Sequence, residues 1–420
     1  MPSDPAALLA RLDGPEGDAL RAALAALPAA EWQAPRRVAA LRRLADVELV
    51  ALALRLAAAR ERQALKFLPG EPLRFTPELL EQASSHPLAA HRAARLAPLA
   101  PVLDLGCGAG GDLTRLAAAG ARPTGLEADP LAAALARANL AALGLPGEVL
   151  TGRYPETPLP AHRALYLDPA RRAGGRRHRE PAAFSPPPGA IAALLARAEA
   201  WCLKWGPALP LDREALSGPA GPLAGFAAGD WELETVSWRG ELREAVLWGG
   251  AARRGCPRQA TLLAGGLADW QPLSFAAEPE PDPAPLAPCP EAARGLFIHE
   301  PDPALIRAGL VGPFARRHGL APVAPGIAYL AGPSVASPFL RRWQPLEWLP
   351  LSLPGLQSAL DRLEAGPLVL KKRGFPLDPE TLRERLRAQG DRPVTVLIYR
   401  DRRAPRRAEH WVCVCGAEQS

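Results

Sequence analysis

Three groups of residues in this chain have the types and spacing to do chemistry. The first is Val102-Leu-Asp-Leu-Gly-Cys-Gly-Ala-Gly-Gly111, an apolar run that carries an acid, Asp104, into a glycine cluster. Gly106, Gly108 and Gly110 permit turns barred to other residues and let a ligand approach the main chain closely. Gly106, Gly108 and Gly111 also meet the G-x-G-x-x-G spacing, which makes a nicotinamide or flavin dinucleotide one candidate ligand. Asp104 argues against it, because a carboxylate two positions before the first glycine repels a pyrophosphate and suits a cationic amino group. Glu127 follows about twenty residues after the loop, where βαβ nucleotide sites take ribose hydroxyls. The second group is Asp168-Pro169 behind the apolar Ala164-Leu-Tyr-Leu167, with Ser185-Pro-Pro-Pro188 as a rival turn that follows a polar loop rather than an apolar strand. The third is positive charge: Arg171, Arg172, Arg176, Arg177, His178 and Arg179 around Gly174-Gly175, and later Lys371, Lys372 and Arg373. A basic loop containing glycine can grip phosphate, whereas the blander reading is a solvated charge run.

Elements must hold these groups in place. The first apolar run reads as a strand, residues 112–119 as a short helix stopped by Gly120, and 123–126 as a second strand ending on Glu127. Asp129 caps and Pro130 starts the next helix, which runs to about Leu143 and ends at Gly144. Residues 164–167 read as a strand that delivers Asp168. Upstream, residues 1 to 65 read as helical with a structural role, and 37–66 as a helical run without internal Pro or Gly. Thr76-Pro77-Glu78 opens a further helix, and another begins near Ser85 or Pro87. Downstream, 191–201 is expected to be helical, while 231–238 and 241–247 form a hairpin-like pair around Arg239-Gly240, and 259–263 a further strand. Residues 278–290 alternate Pro with small or acidic residues, as a stiff linker does. Beyond it, strands are expected at 296–299, 369–372 and 394–400, with helices opening at Pro301-Asp-Pro-Ala304 and spanning 379–389.

The series Asp104-x-Gly106-x-Gly108-x-Gly110 with Glu127 resembles the first two motifs of class I S-adenosylmethionine (AdoMet) methyltransferases. That resemblance implies a doubly wound, Rossmann-like α/β sheet, a loop cradling the methionine part of AdoMet, Asp104 near its amino group and Glu127 on its ribose hydroxyls. Many relatives carry an acid after the third strand, whereas Val149-Leu-Thr-Gly-Arg153 offers Arg153 there, so adenine contacts stay unassigned. Asp168-Pro169 resembles part of the [DNS]-P-P-[aromatic] turn of methyltransferases acting on exocyclic base amines. There the turn accepts hydrogen bonds from the amine and holds the nitrogen lone pair toward the methyl group, so positioning does most of the catalytic work. Ala170 stands for the second proline and Arg171 for the aromatic residue; a guanidinium can also stack on a base. The helix ahead of the glycine loop often closes over AdoMet in such relatives, which makes Thr76, Gln82 and Ser84 polar candidates beside simple capping.

The resemblance extends over roughly residues 60 to 416, to an uncharacterised bacterial family in which a THUMP-like domain follows a class I methyltransferase domain. Glu300-Pro-Asp-Pro303, Arg307-Ala-Gly309 and Lys371-Lys-Arg-Gly374 carry it in the second part, and Asp168-Pro-Ala-Arg-Arg172 with Ser185-Pro186 in the first. The methyltransferase part is also similar to the trimethylguanosine synthase group, where a Ser/Thr-Pro-Glu helix, glycine loop and fourth-strand motif come in the same order.

Composition sets the frame. With 420 residues, 48% of them hydrophobic, the chain can bury a large core over two or three domains. The net charge is +6, and lysine occurs only at Lys66, Lys204, Lys371 and Lys372, so 46 of the 50 basic residues are arginine. A GC-rich genome explains much of that excess, and local clusters are therefore more informative than the total. The start, Met-Pro-Ser-Asp, does not resemble a secretory signal, and no apolar run escapes charges or frequent Pro and Gly for the length of a membrane span. Six scattered cysteines suit free thiols in a reducing compartment, and Cys413-x-Cys415 has no second ligand pair, so no metal site is assigned.

These readings give a helical region at 1–66, a methyltransferase domain at 67–275, a Pro-rich linker at 276–292 and an α+β THUMP-like domain at 293–420. The expected protein is a soluble, cytoplasmic AdoMet-dependent methyltransferase with no membrane partner that methylates a base amine of structured RNA, guanine being favoured by resemblance. Asp168 and Pro169 are its expected catalytic turn, and Arg171, Arg172, Arg176, Arg177, Arg179, Lys371, Lys372 and Arg373 its expected substrate contacts. Two alternatives remain: a small-molecule or protein methyltransferase whose arginines grip an acidic substrate, and an RNA-binding protein with a degenerate methyltransferase fold.

Overall fold

The computed structural model describes residues 4–26, 28–169, 183–286, 295–376, 378–403 and 409–419, together with the backbone at 172–173 and 176–177. The chain divides into two compact units. The first is Met1–Glu232 with Glu244–Gly255 and Leu263–Pro272, and the second is Leu233–Arg243 with Cys256–Leu262 and Leu273–Ser420.

The first unit begins with α1 (Pro5–Leu12), α2 (Pro15–Ala25), α3 (Pro35–Leu41) and α4 (Val47–Gln63). The helical run expected over 37–66 is broken in two. Asp46 takes the N-cap of α4 and its carboxylate accepts the Leu49 N–H at 3.0 Å, which is more favourable than carrying an aspartate through a helix interior. Leu20, Leu49 and Leu52 from these helices share a core with Ala109 of the glycine loop and with Ala134 and Leu135. The N-terminal helices thus buttress the ligand-binding turn.

Next come α5 (Pro77–Gln82) and α6 (His86–Leu96). Thr76 caps α5, accepting the Leu79 N–H at 3.4 Å. At its other end Lys66 Nζ donates to the carbonyls of Leu80, Glu81 and Ala83 at 2.7–2.8 Å, so the orphan carbonyls of this short helix are satisfied by one ammonium. The sheet follows: β1 (Val102–Leu105), α7 (Gly111–Ala118), β2 (Pro123–Glu127), α8 (Pro130–Ala142), β3 (Glu148–Thr151) and β4 (Ala164–Leu167). Backbone pairing continues in a small antiparallel ladder of β5 (Arg172–Ala173) with β6 (Arg176–Arg177), then α9 (Pro188–Leu195), β7 (Ala200–Trp205) and α10 (Arg213–Ser217).

The order is β7-β4-β1-β2-β3, parallel throughout, which is the expected Rossmann-like arrangement. One expectation is corrected here. The helix expected over 191–201 stops at Leu195, and Trp201 belongs to β7. Trp201, Cys202, Leu203 and Trp205 are all buried, and a strand buried on both faces shows no alternation to tell it from a buried helix.

β8 (Trp231–Trp238) and β9 (Glu241–Gly250) are joined through Arg239 and Gly240, whose φ values of 55° and 75° suit a two-residue hairpin turn. Residues 245–250 of β9 lie antiparallel to β7 in the first unit. The order runs on as β9-β8-β10-β11, with β10 at Arg258–Ala264 and β11 at Gln271–Ala277, and Leu233–Arg243, Cys256–Leu262 and residues 273–277 of this stretch fall in the second unit.

The rest of that unit contains β12 (Phe297–Pro301), α11 (Pro303–Ala308), α12 (Val311–Arg317), β13 (Ala321–Pro322), β14 (Leu330–Gly332) and β15 (Leu340–Trp343), in the order β13-β14-β12-β15. The helix expected to open at Pro301-Asp-Pro-Ala304 is α11, and Asp302 caps it, accepting the Ala304 N–H at 2.8 Å. A further sheet, β16-β19-β18-β17, is formed by β16 (Pro345–Pro350), β17 (Ala365–Arg373), β18 (Arg392–Arg400) and β19 (His410–Cys415). It carries α13 (Leu353–Arg362) and α14 (Pro379–Arg383), the latter ending six residues before the expected Gln389. No helix among the described residues is long and apolar enough to cross a membrane.

Candidate functional site

The glycine loop turns the chain from β1 into α7 with Gly106, Gly108 and Gly110 at φ 84°, 56° and 82°, a region unfavourable to other residues. A Cβ at Gly106 or Gly108 would meet nothing within 4 Å, so these two face open space. At Gly110 a Cβ would lie 3.2 Å from that of Ala136 on α8; this glycine serves helix packing and does not line the cavity described below. Cys107 is buried, and its sulfur fills the space beside Gly125, where a Cβ would come within 2.7 Å of it.

Glu127, at the end of β2, ties the loop down. Its carboxylate accepts the Gly108 N–H at 2.8 Å with one oxygen and the Asp129 N–H at 2.8 Å with the other. Asp104, on β1, is 1% exposed, and its Oδ2 has no hydrogen-bond partner among the described residues. Burial pushes its carboxyl well above the usual aspartate range, and the nearby Asp112, Asp168 and Glu127 push it further.

A cavity of about 1070 Å³ opens over the carboxyl ends of these strands, where a doubly wound sheet binds its ligands. Asp104, Gly106, Gly108, Glu127, Asp168 and Pro169 all line it. Ser185 and Pro186 line it too, so the two turns that competed as catalytic motifs in the sequence face one space. Thr76, the N-cap of α5, and Gln82, its last residue, line the same cavity, and Arg153 and Tyr154 reach it after β3.

Sequence reasoning missed the cation at this site. Lys204, on β7, places Nζ 2.5 Å from Asp168 Oδ2 and 3.1 Å from Ser84 Oγ. Burial pulls the ammonium down, but Asp168 chiefly, with Asp112 and Glu244, more than offsets this and holds its pKa above the ordinary lysine value. Behind it Arg92, on α6, donates to Ser84 Oγ at 2.7 Å and to Asp112 at 2.5 Å, and pairs with Glu244 of β9. Burial alone would raise Asp112, yet Arg92 and Lys204 keep it below the usual range. A signal for Lys204 existed: it is one of only four lysines in an arginine-rich chain, set inside Trp201-Cys-Leu-Lys-Trp205.

The expected phosphate contacts are only partly visible. The side chains of Arg171, Arg172, Arg176, Arg177 and Arg179 lie outside the described residues. In the second unit Lys371 and Arg373 both pair with Glu300, at 2.5 and 3.3 Å, and lie over the rings of Trp343 and Tyr329 respectively. These two cations are therefore partly neutralised within the fold, while Lys372 follows them on β17. The Cys413 and Cys415 sulfurs lie 3.4 Å apart on β19, and no cluster of three or more metal ligands occurs among the described residues.

Comparison with known proteins finds relatives of this chain. The family described as THUMP domain-like matches residues 340–417. An uncharacterised S-adenosylmethionine-dependent methyltransferase of Mycobacterium tuberculosis, found in strains CDC 1551 and H37Rv, is 36% identical over 327 residues, covering 78% of this chain and 84% of the relative. The crystal structure of a candidate methyltransferase from Porphyromonas gingivalis W83 superposes with a TM-score of 0.66 at 21% identity, over 89% of this chain and 92% of that one, and shows the same fold.

Proposed function

Since the chain belongs to the S-adenosylmethionine-dependent methyltransferases, we propose that it acts in the cytoplasm to methylate an exocyclic amine of an RNA base, guanine being favoured. AdoMet supplies a methyl group carried on a sulfonium centre. The residues present suit it. An orphaned, buried Asp104 oxygen amid other acids calls for a cationic partner, which the amino group provides. Gly106 and Gly108 leave open room beside the main chain, and Glu127 retains lone pairs for hydroxyl groups after accepting one N–H on each oxygen.

The observation that carries the proposal is the placement of Asp168. It ends β4 on the cavity that the glycine loop also lines, with Oδ2 held by Lys204. Among the described residues Oδ1 takes no hydrogen bond, so it can accept one from an amine N–H. Such a bond fixes the amine's orientation, and orientation is the main contribution the protein can make to a methyl transfer. Around Asp168 a neutral amine suits the site better than an acidic molecule, which would meet Asp104, Asp112, Glu127 and Asp168 with Lys204 already committed and only Arg55 and Arg153 among the described lining residues to offset them. Arg171 stands three residues after Asp168, so the arginine cluster begins beside the acceptor turn in the chain. The THUMP-like segment and the lysines of β17 support RNA as the carrier of that base.

Mass spectrometry of RNA nucleosides from cells with and without the gene tests this. Loss of an N-methylated guanosine on deletion is expected. An unchanged set of modified nucleosides would overturn the proposal and favour a small-molecule or protein acceptor.

A further inference from the structure

Asp168 alone is an incomplete tool. A carboxylate turns readily about its terminal torsion and can present either oxygen, so an acceptor that depends on one oxygen needs the other held. The parallel register of β4 with β7 pairs Leu167 with Leu203, which brings Asp168 and Lys204 to adjacent positions just beyond. The ammonium is itself tethered, because Ser84 Oγ lies 3.1 Å from it and also accepts from Arg92, which is held by Asp112 and Glu244. The side chains of Lys204 and Asp168 are 13% and 29% exposed, so little water competes for the pair.

We propose that Lys204, braced by Ser84, is a positioning residue that clamps Oδ2 of Asp168, so that Oδ1 stays an acceptor aimed into the cavity. This rests on the reading that Asp168 receives the acceptor amine. Electrostatics make the clamp necessary. Asp112 and Glu244 face Lys204 along with Arg92, and Asp104 lies within the influence of Asp112, Asp168 and Glu127. Without the ammonium, Asp168 would be one more carboxylate in an acidic group, with neither oxygen held.

The test uses the full chain, AdoMet with a labelled methyl group, and total RNA from cells lacking the gene as acceptor. In Lys204→Met, kcat should fall on the order of a hundredfold, the loss typical of a misplaced reacting group, while AdoMet affinity measured by calorimetry changes little. Lys204→Arg should restore the rate in large part. Ser84→Ala should give an intermediate loss. A Lys204→Met enzyme with the wild-type rate would overturn the proposal, as would a loss that Lys204→Arg does not relieve and that follows the melting temperature alone. Wild-type turnover in Asp168→Asn, or no transfer to RNA by the native enzyme, would instead remove the reading on which the proposal rests. In that event a crystal structure of Lys204→Met still decides about Lys204: the Asp168 carboxylate should turn from its native orientation, and an unmoved carboxylate would overturn the clamp.

Discussion

Asp104 and Glu127 are the two residues whose loss should be felt first. Each carboxylate offers charged hydrogen bonds to groups that would otherwise be desolvated without a partner, worth about 1.5–3 kcal/mol apiece. Asp104→Ala and Glu127→Ala should therefore each weaken AdoMet binding by roughly ten- to hundredfold in calorimetry, and unchanged affinity in both would refute their assignment. Asp104 also makes a pH prediction. Burial and the surrounding acids raise its carboxyl well above the ordinary value in the folded chain, so the folded state holds this proton more tightly than the unfolded one. Stability without ligand should then fall as pH rises from the ordinary aspartate value toward the raised one, and AdoMet binding should tighten across the same window. Asp104→Asn should flatten both trends in melting scans and titrations. Asp168→Ala, by contrast, should keep AdoMet affinity and lose turnover. Full activity there, with loss in Ser185→Ala, would move the acceptor turn to the other motif on the same cavity.

At the scale of elements, the loop between β1 and α7 is where backbone and packing demands coincide. Gly110 caps α7 at φ 82° and presses against Ala136 of α8. Gly110→Ala should cost about 1–2 kcal/mol for the left-handed conformation alone, more once α8 has to give way, and thermal denaturation will show it. The N-cap of α4 offers a milder test. Asp46→Ala removes the acceptor of the Leu49 N–H and should cost about 1 kcal/mol. Since that helix shares a core with Ala109 of the glycine loop, some of the cost should also appear as weaker AdoMet binding. A melting temperature equal to that of the wild type would show the cap to be dispensable.

For the whole molecule, charge is the quantity at issue. Glu300 takes up charge from both Lys371 and Arg373, so the basic segment of β17 is less positive than its sequence suggests. If it binds RNA, removing Lys371, Lys372 and Arg373 should weaken binding and flatten its salt dependence by roughly 0.7 log units per log unit of salt for each single-stranded phosphate no longer neutralised. Glu300→Gln should do the opposite, steepening that dependence, and neither change should touch AdoMet affinity. Replacing Arg176, Arg177 and Arg179 should reduce turnover more than binding. Titrating structured RNA against these variants at several salt concentrations decides the matter, and no affinity even at low salt would end the RNA reading.

What the sequence determined by itself is whatever local rules control. The glycine turns, the caps at Thr76, Asp129 and Asp302, and the apolar runs ending in Asp104, Glu127 and Asp168 depend on residues a few positions apart, so the α/β order and the outline of the cofactor loop could be read directly. Strand β7 escaped because a strand buried on both faces has no alternating pattern, and Lys204 escaped with it. Only the tertiary structure joins Lys204 to Asp168, 36 residues apart, and Glu300 to Lys371, 71 residues apart. It also separates Gly110 from Gly106 and Gly108, which look alike in the motif, by turning one toward a helix and two toward the cavity. Contacts of that kind depend on which strands lie side by side and on which face each residue turns, and no local spacing in the chain encodes either.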